Sequence, residues 1–278
     1  MKKSINAWSF PNDWDFEKVF SFAKELGFEC IELNLDNEGA HSFTFDSDEK
    51  TFAHVRELIK KYGIEVQSVS TGKYWSSGAF GSDDVNKKNE AIKVMRKQIE
   101  CARGIGADTI LVVTCIDNQT GYKKSFENTI NTFRELEDEI KAMGINIGLE
   151  NVWNRFFMSP FDVKYVLDAI DNPLVGLYLD IGNMLAFSLP EYWIEVAGKY
   201  IKKVHIKDFK KHDTFNMGGV FCDLLEGDLD CEKVIPMLKA AGYDGPLSAE
   251  LFNENDAISP ETFITTIYNA IEKIVKMA

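Results

Sequence analysis

The order of hydrophobic and polar positions repeats along this chain. An amphipathic stretch closes at a glycine and a short apolar run follows at once, as in ELGFECIELNL, KKYGIEVQSVS, GIGADTILVVT, AMGINIGLENV and AAGYDGPLSAEL. The glycines are Gly27, Gly63, Gly106, Gly144 and Gly242. A residue that adopts the left-handed conformation at such a place ends a helix. The apolar runs are rich in Ile, Val and Leu, the composition of parallel strands buried on both faces. LVGLYLDIGN and IKKVHIKDF share the strand character without the glycine, and SINAWSF stands at the start. Eight strands are therefore expected.

The intervening stretches read as helices. Residues 15–26 set Phe16, Val19, Phe20, Ala23 and Leu26 on one face, and residues 87–103 and 123–143 carry charge opposite their apolar face. Ser259-Pro260-Glu261 is a helix start, with a capping serine, a proline at the first helical position and an acid in the first turn; that helix runs toward Lys276. Strands alternating with helices give either a closed barrel or an open doubly wound sheet. An open sheet holding a dinucleotide would show GxGxxG after its first strand, where this chain has Trp8-Ser9-Phe10-Pro11. No linker divides the sequence. The expected fold is a single α/β domain over residues 1–278, a (β/α)8 barrel. Two irregular stretches, 71–84 and 210–228, follow strands and are expected over the active face.

Composition narrows the partners. The 278 residues include 20 Phe and 5 Trp, enough for a large core. A net charge of −13 opposes binding to nucleic acid and to anionic membranes. It does not bear on a small ligand, because a local cation can reverse the field inside a pocket. Cys30, Cys101, Cys115, Cys222 and Cys231 are odd in number and form no CxxC pair, which fits free thiols in a reduced, cytoplasmic protein. MKKSINAWSF lacks the apolar core of a secretory signal, and no apolar run has the length of a membrane span.

Chemistry in a barrel sits at the C-terminal ends of its strands. The polar residues expected there are Glu32 and Asn34, Glu150 and Asn151, Asp180 and Asn183, His205, Lys207 and Asp208, and Glu250. Four of them, Glu150, Asp180, His205 and Glu250, fall on consecutive strands. Three carboxylates buried together repel one another unless a cation joins them. One imidazole with three carboxylates suits Mn2+, and also Mg2+, Co2+ or Zn2+, so one divalent metal ion is expected. Lys207 shares a strand side with His205 and is placed to hold a substrate oxygen or to pair with a ligand carboxylate. Arg155, with Lys210, Lys211 and His212, is a candidate for a phosphate. Trp8 and Trp153, at strand ends, are candidate walls for a sugar, and Glu32 and Asn183 complete the candidate substrate contacts. Glu226, in EGDLD, is a candidate to brace its loop or to support His205 from behind.

These motifs resemble the sugar phosphate isomerase/epimerase family, the xylose isomerase-like barrels. The likeness covers nearly the whole chain and is densest in GLENVWNRFFMSP (148–160), GLYLDIGN (176–183), KKVHIKDF (202–209), LLEGDLD (224–230) and GYDGPLSAELF (242–252). It implies that Glu150, Asp180, His205 and Glu250 bind the metal and that Glu150 and Glu250 also act as acid and base. The implied reaction is epimerisation at C3 of a ketose or ketose phosphate through a metal-stabilised cis-enediolate, with homodimers or homotetramers common in the family. Asn183 stands where D-tagatose 3-epimerase-type enzymes carry a histidine, so DIGN looks more like the enzymes acting on L-ribulose or L-xylulose 5-phosphate. Phe156 and Phe157 stand where some branches have a further glutamate. An inosose dehydratase-like lyase and a non-catalytic sugar-binding barrel are the alternatives. An apurinic endonuclease fits poorly, because four histidines and an acidic surface suit neither a trinuclear zinc site nor DNA.

Overall fold

The structure, a computed structural model, describes residues 1–37, 39–77, 79–114, 117–212 and 218–278, with no side-chain detail for 76 and 77. Cys115 lies outside the described residues, as do 213–217 of the second irregular stretch. The strands are β1 (Lys2–Asn6), β2 (Cys30–Asn34), β3 (Glu65–Ser70), β4 (Thr109–Val113), β5 (Asn146–Glu150), β6 (Val175–Asp180), β7 (Ile201–Ile206), β8 (Asp208–Lys211), β9 (Gly219–Cys222) and β10 (Pro246–Ala249). The α-helices are α1 (Phe16–Leu26), α2 (Glu49–Tyr62), α3 (Tyr74–Ser77), α4 (Val85–Ile105), α5 (Tyr122–Glu135), α6 (Glu137–Met143), α7 (Pro160–Ile170), α8 (Ile181–Leu185), α9 (Pro190–Ala197), α10 (Cys231–Ala240) and α11 (Pro260–Ile274).

Eight parallel strands close a barrel in the order β1-β10-β7-β6-β5-β4-β3-β2, and β8 and β9 form a separate antiparallel pair. The expected eight strands are thus the eight staves. Helix ends obey local chemistry. Asp15 caps α1 by accepting from the Lys18 amide, and Ser259 caps α11 by accepting from the Thr262 amide. The five repeat glycines all lie in the left-handed region, with φ between 61° and 102°.

The structure departs from the expected elements in three places, the first being α3 (Tyr74–Ser77) within the stretch 71–84 that was expected to be irregular. The single helix expected over 123–143 is two, α5 and α6, broken at Leu136; the second begins with Glu137, Asp138 and Glu139, acids that favour a new helix N-terminus. The stretch 210–228 contains the β8–β9 hairpin rather than being wholly irregular.

The barrel wall has two unlike faces. Ile5, Ile31, Leu33, Leu177, Leu179, Val204, Ile206, Leu247 and Ala249 are at most 1 % exposed and pack in the core that includes the helices. The alternate positions carry Ser4, Asn6, Glu32, Asn34, Ser68, Tyr178, Asp180, His205 and Ser248, also buried. The strands are buried on both faces, as expected, but one of the two faces is largely polar. These interior side chains satisfy one another across the barrel: Ser248 Oγ donates to Ser4 Oγ at 2.9 Å, and Ser68 Oγ lies 3.2 Å from Tyr178 Oη. Buried polar groups are tolerable when so paired.

The segment after β7 is held by one side chain. Asp208, 1 % exposed, accepts from the backbone amides of Phe209 (2.9 Å) and Leu229 (3.1 Å) on one oxygen, and of Leu225 and Gly227 (both 3.0 Å) on the other. A Cβ at Gly227 would stand 2.0 Å from Asp208 Oδ1, so the motif requires glycine there. Asp208→Asn turns an N–H2 group toward two of these donors. It should lower the unfolding free energy by about 2 kcal/mol, read by urea denaturation; an unchanged midpoint would contradict this role.

Candidate metal centre

Glu150 is the last residue of β5 and Asp180 the last of β6; His205 lies on β7, and Glu250 follows β10 directly. Strand pairing sets the register: Asp180 is opposite His205, and Ala249, just before Glu250, is opposite Ile206. Four side chains from neighbouring staves therefore arrive at one level on the C-terminal side of the barrel. One ligand atom from each lies within 4.8 Å of all the others, and all four residues are buried.

The neighbours fix their directions. Asn151 mimics a strand, donating through Nδ2 to Asp180 O (2.8 Å) and accepting from the Asp180 amide (2.9 Å). Asp180 Oδ1 caps α8 by accepting from the Asn183 amide at 2.8 Å, which leaves Oδ2 aimed into the cluster. His205 Nδ1 lies 2.8 Å from Glu250 Oε2, 3.3 Å from Glu150 Oε1 and 3.9 Å from Asp180 Oδ2. Its other nitrogen, Nε2, is 2.5 Å from Glu32 Oε2.

Burial opposes every charge here. It pushes Glu150 up, against the pull of His205 and with the help of Glu250 and Asp180. It pushes Asp180 up too, although Lys207 pulls it back. Glu250 is held below the ordinary carboxylate range: burial works against this, but Lys207 and His205 outweigh it. Burial also disfavours the His205 imidazolium, yet the charges of Glu32 and Glu250 raise its proton affinity well above the usual range. Lys207 Nζ stands 3.0 Å from Asp180 Oδ2 and 3.1 Å from Glu250 Oε2. These are ion pairs by distance, but the approach is off the hydrogen-bond direction, and both oxygens lack a proper donor. Two unsatisfied carboxylate oxygens, a third carboxylate and an imidazole nitrogen around one point form a donor set that fits a divalent cation.

The site opens into a cavity of about 570 Å3 whose lining includes Trp153, Lys207, Phe221, Glu250 and Phe252. Trp153 is half exposed, stacks on Phe221 of β9 at 5.0 Å between ring centroids, and donates from Nε1 to Asn183 O at 2.6 Å. Arg155, exposed and with φ of 63°, lines an adjoining cavity of about 380 Å3 that shares Trp153 and Gly219 with the first.

The other residues expected at the substrate do not line this cavity. Trp8 donates to Asp36 at 2.7 Å and lines a different cavity, of about 390 Å3, which shares no lining residue with the first. Glu32 is 1 % exposed and sits behind His205, away from the carboxylate cluster. Asn183 is also buried, its amide donating to Asn151 O at 3.0 Å. Lys210 pairs with Asp228 at 3.1 Å. The expected roles of Glu226 need correction: it is exposed, and the two jobs fall to other acids. Asp208 braces the loop and Glu32 contacts His205. Asp208 carried a readable signal, since it follows the strand holding His205 and precedes a glycine-containing turn. Glu32 was legible as a strand-end acid, but its pairing with His205 was not, because that partner lies 173 residues away.

Known proteins share this fold. The sequence profile of the xylose isomerase-like TIM barrel family matches residues 20–269. L-ribulose-5-phosphate 3-epimerase UlaE of Salmonella heidelberg (strain SL476) is 26 % identical over 244 residues, covering 85 % of this chain and 82 % of that protein. Among solved structures, an IOLI protein with a binding zinc atom superposes with a TM-score of 0.81 at 19 % identity, over 99 % of this chain and 98 % of that one. A D-tagatose 3-epimerase-like protein gives 0.78 at 22 % identity, over 99 % and 98 %. At these identities the structural likenesses speak for the fold. With its closed eight-stranded barrel and a profile match spanning almost its full length, the chain belongs to the xylose isomerase-like TIM barrel family.

Proposed function

We propose that the protein is a divalent-metal-dependent isomerase that epimerises a ketose or ketose phosphate at C3. The observation that carries this reading is the quartet of Glu150, Asp180, His205 and Glu250 at the C-terminal ends of consecutive staves, with two carboxylate oxygens lacking a donor. The names of the relatives support the reaction class. One metal ion, Mn2+ by preference for a mixed oxygen and nitrogen donor set, would be held by these four residues. When bound, it supplies Lewis-acid stabilisation for the negative charge that develops on the sugar oxygens.

The chain's own groups carry the rest. Glu150 and Glu250 enter from different staves and are the acid and base: one removes the proton at C3, and the other delivers a proton to the opposite face. Their surroundings differ in the metal-free protein: Lys207 and His205 hold Glu250 down against burial, whereas burial pushes Glu150 up. Lys207, on the cavity wall between Asp180 and Glu250, is placed to orient a substrate oxygen. Trp153 and Phe221 offer a flat apolar wall to the C–H face of a sugar, and a terminal phosphate would reach Arg155 in the adjoining cavity. A cytoplasmic location belongs to the same reading: the four described cysteines are free, and among the described residues no helix is long and apolar enough to cross a membrane.

The test is a panel of ketoses and ketose phosphates incubated with Mn2+ in deuterated water and followed by NMR. Deuterium should enter at C3 of one of them, with the C3 epimer accumulating; exchange at C1 or loss of water would replace this reading with an aldose–ketose isomerase or a dehydratase. Dialysis against a chelator should abolish turnover, and Mn2+ or Co2+ should restore it; full activity in metal-free protein would refute the metal requirement. Glu250→Gln and Glu150→Gln should each lower kcat by about 10²–10⁴-fold with an unchanged circular dichroism spectrum, and wild-type exchange in either would remove that residue from the reaction.

A further inference from the structure

Glu32 has no part in the reaction just described, yet it is among the most completely buried charged side chains of the protein, at 1 % exposure. Isolated in a barrel interior, a carboxylate is costly. Here both oxygens are engaged. Oε1 accepts from Tyr178 Oη at 2.5 Å; Oε2 accepts from Asn6 Nδ2 at 2.6 Å and lies 2.5 Å from His205 Nε2. The supports are themselves held. Tyr178 Oη also meets Ser68 Oγ at 3.2 Å, and Asn6 Nδ2 lies 3.0 Å from Ser70 Oγ. Room for the Tyr178 ring comes from Gly148 on the next stave, where a Cβ would stand 2.8 Å from Tyr178 Cβ. Side chains from β1, β2, β3 and β6 thus converge to hold one carboxylate against one nitrogen of an imidazole on β7.

A neutral imidazole carries one N–H, and the nitrogen without it is the one able to bind a cation. An ionised carboxylate only accepts, so it commits the proton to whichever nitrogen it faces. We propose that Glu32 is a positioning residue: it keeps the proton of His205 on Nε2, so that Nδ1 presents its lone pair to the point shared with Glu150, Asp180 and Glu250. The distances around Nδ1, 2.8 Å to Glu250 and 3.3 Å to Glu150, place that nitrogen on the cluster side. Glu32 also fixes the ring plane, because the imidazole bridges a carboxylate on each edge. This inference rests on reading the quartet as a metal centre.

Binding of Mn2+ alone to the full chain, measured by isothermal titration calorimetry, tests it. Glu32→Gln keeps the shape and removes the charge; it should weaken Mn2+ binding by about 10–100-fold while the circular dichroism of the metal-free protein is retained. Tyr178→Phe, which removes one support of Glu32, should weaken binding in the same direction by a smaller factor. Asp180→Asn separates the two readings. Loss of Mn2+ binding in Asp180→Asn with affinity within twofold of wild type in Glu32→Gln overturns the role of Glu32 and leaves the metal centre standing. Absence of Mn2+ binding in the wild type, or equal binding in Asp180→Asn, overturns both. The unaltered protein gives an independent readout, whatever the folding of the variants. With Zn2+ bound, 15N NMR of the ring should show His205 protonated at Nε2 and ligated at Nδ1, and the reverse pattern ends the proposal.

Discussion

Mutual repulsion of buried carboxylates is the constraint around which this barrel is arranged. Glu150, Asp180 and Glu250 are each at most 6 % exposed and share one small volume. Three such charges without compensation would cost far more than the few kcal/mol by which a domain is stable. Each nearby feature answers that problem. Lys207 sits between Asp180 and Glu250, His205 lies within ion-pair distance of all three acids, and Asn151 and the Asn183 amide hold Asp180 in place. The residual mismatch, two carboxylate oxygens without a donor, marks the place where a cation would complete the balance.

The constraint extends down the barrel. An imidazole facing three acids on one side faces a fourth, Glu32, on the other, and Glu32 in turn needs Tyr178 and Asn6. The polar interior is therefore one connected arrangement and not a set of separate accidents. Networks of this kind fix a unique geometry when every member is satisfied. The apolar face of the same strands makes the opposite contribution: Ile, Leu and Val side chains packed toward the helices hold the staves rigid, and the rigid staves hold the network in register.

Much of this was legible in the sequence, and for definite reasons. Five of the eight staves follow from short apolar runs after left-handed glycines, and β1, β6 and β7 from strand character alone. The quartet follows from polar residues at the ends of consecutive strands, because neighbouring staves in a barrel must bring those ends together. What stayed hidden depends on contacts across the barrel or on local backbone detail. Glu32 reads as one more strand-end acid until β2 and β7 are seen to face each other through the interior. The break at Leu136 is invisible to helical periodicity, which continues in phase on both sides. The β8–β9 hairpin is four residues a side, too short for alternation to identify. Glu226 drew notice because EGDLD is conspicuous, whereas the acid that organises that turn is Asp208, embedded in the strand motif before it.

Charge counting links the constraint to the proposed chemistry. With a divalent ion, a neutral imidazole and Lys207, the three ionised carboxylates of the quartet would sum to zero, and Glu32 behind the imidazole would leave one negative charge on the wider site. Without the ion, the same sum can be reached another way: His205 takes a second proton, and one acid holds its own. The electrostatics select Glu150 for that role, since burial and its acidic neighbours push its proton affinity up while Lys207 and His205 hold Glu250 down. Proton and metal would thus be alternatives at this site, in keeping with the general release of protons when a metal binds. Two carboxylates in identical surroundings would compete for one proton and perform one role between them. Here Lys207 stands 3.1 Å from Glu250 Oε2, so the two glutamates have unlike surroundings.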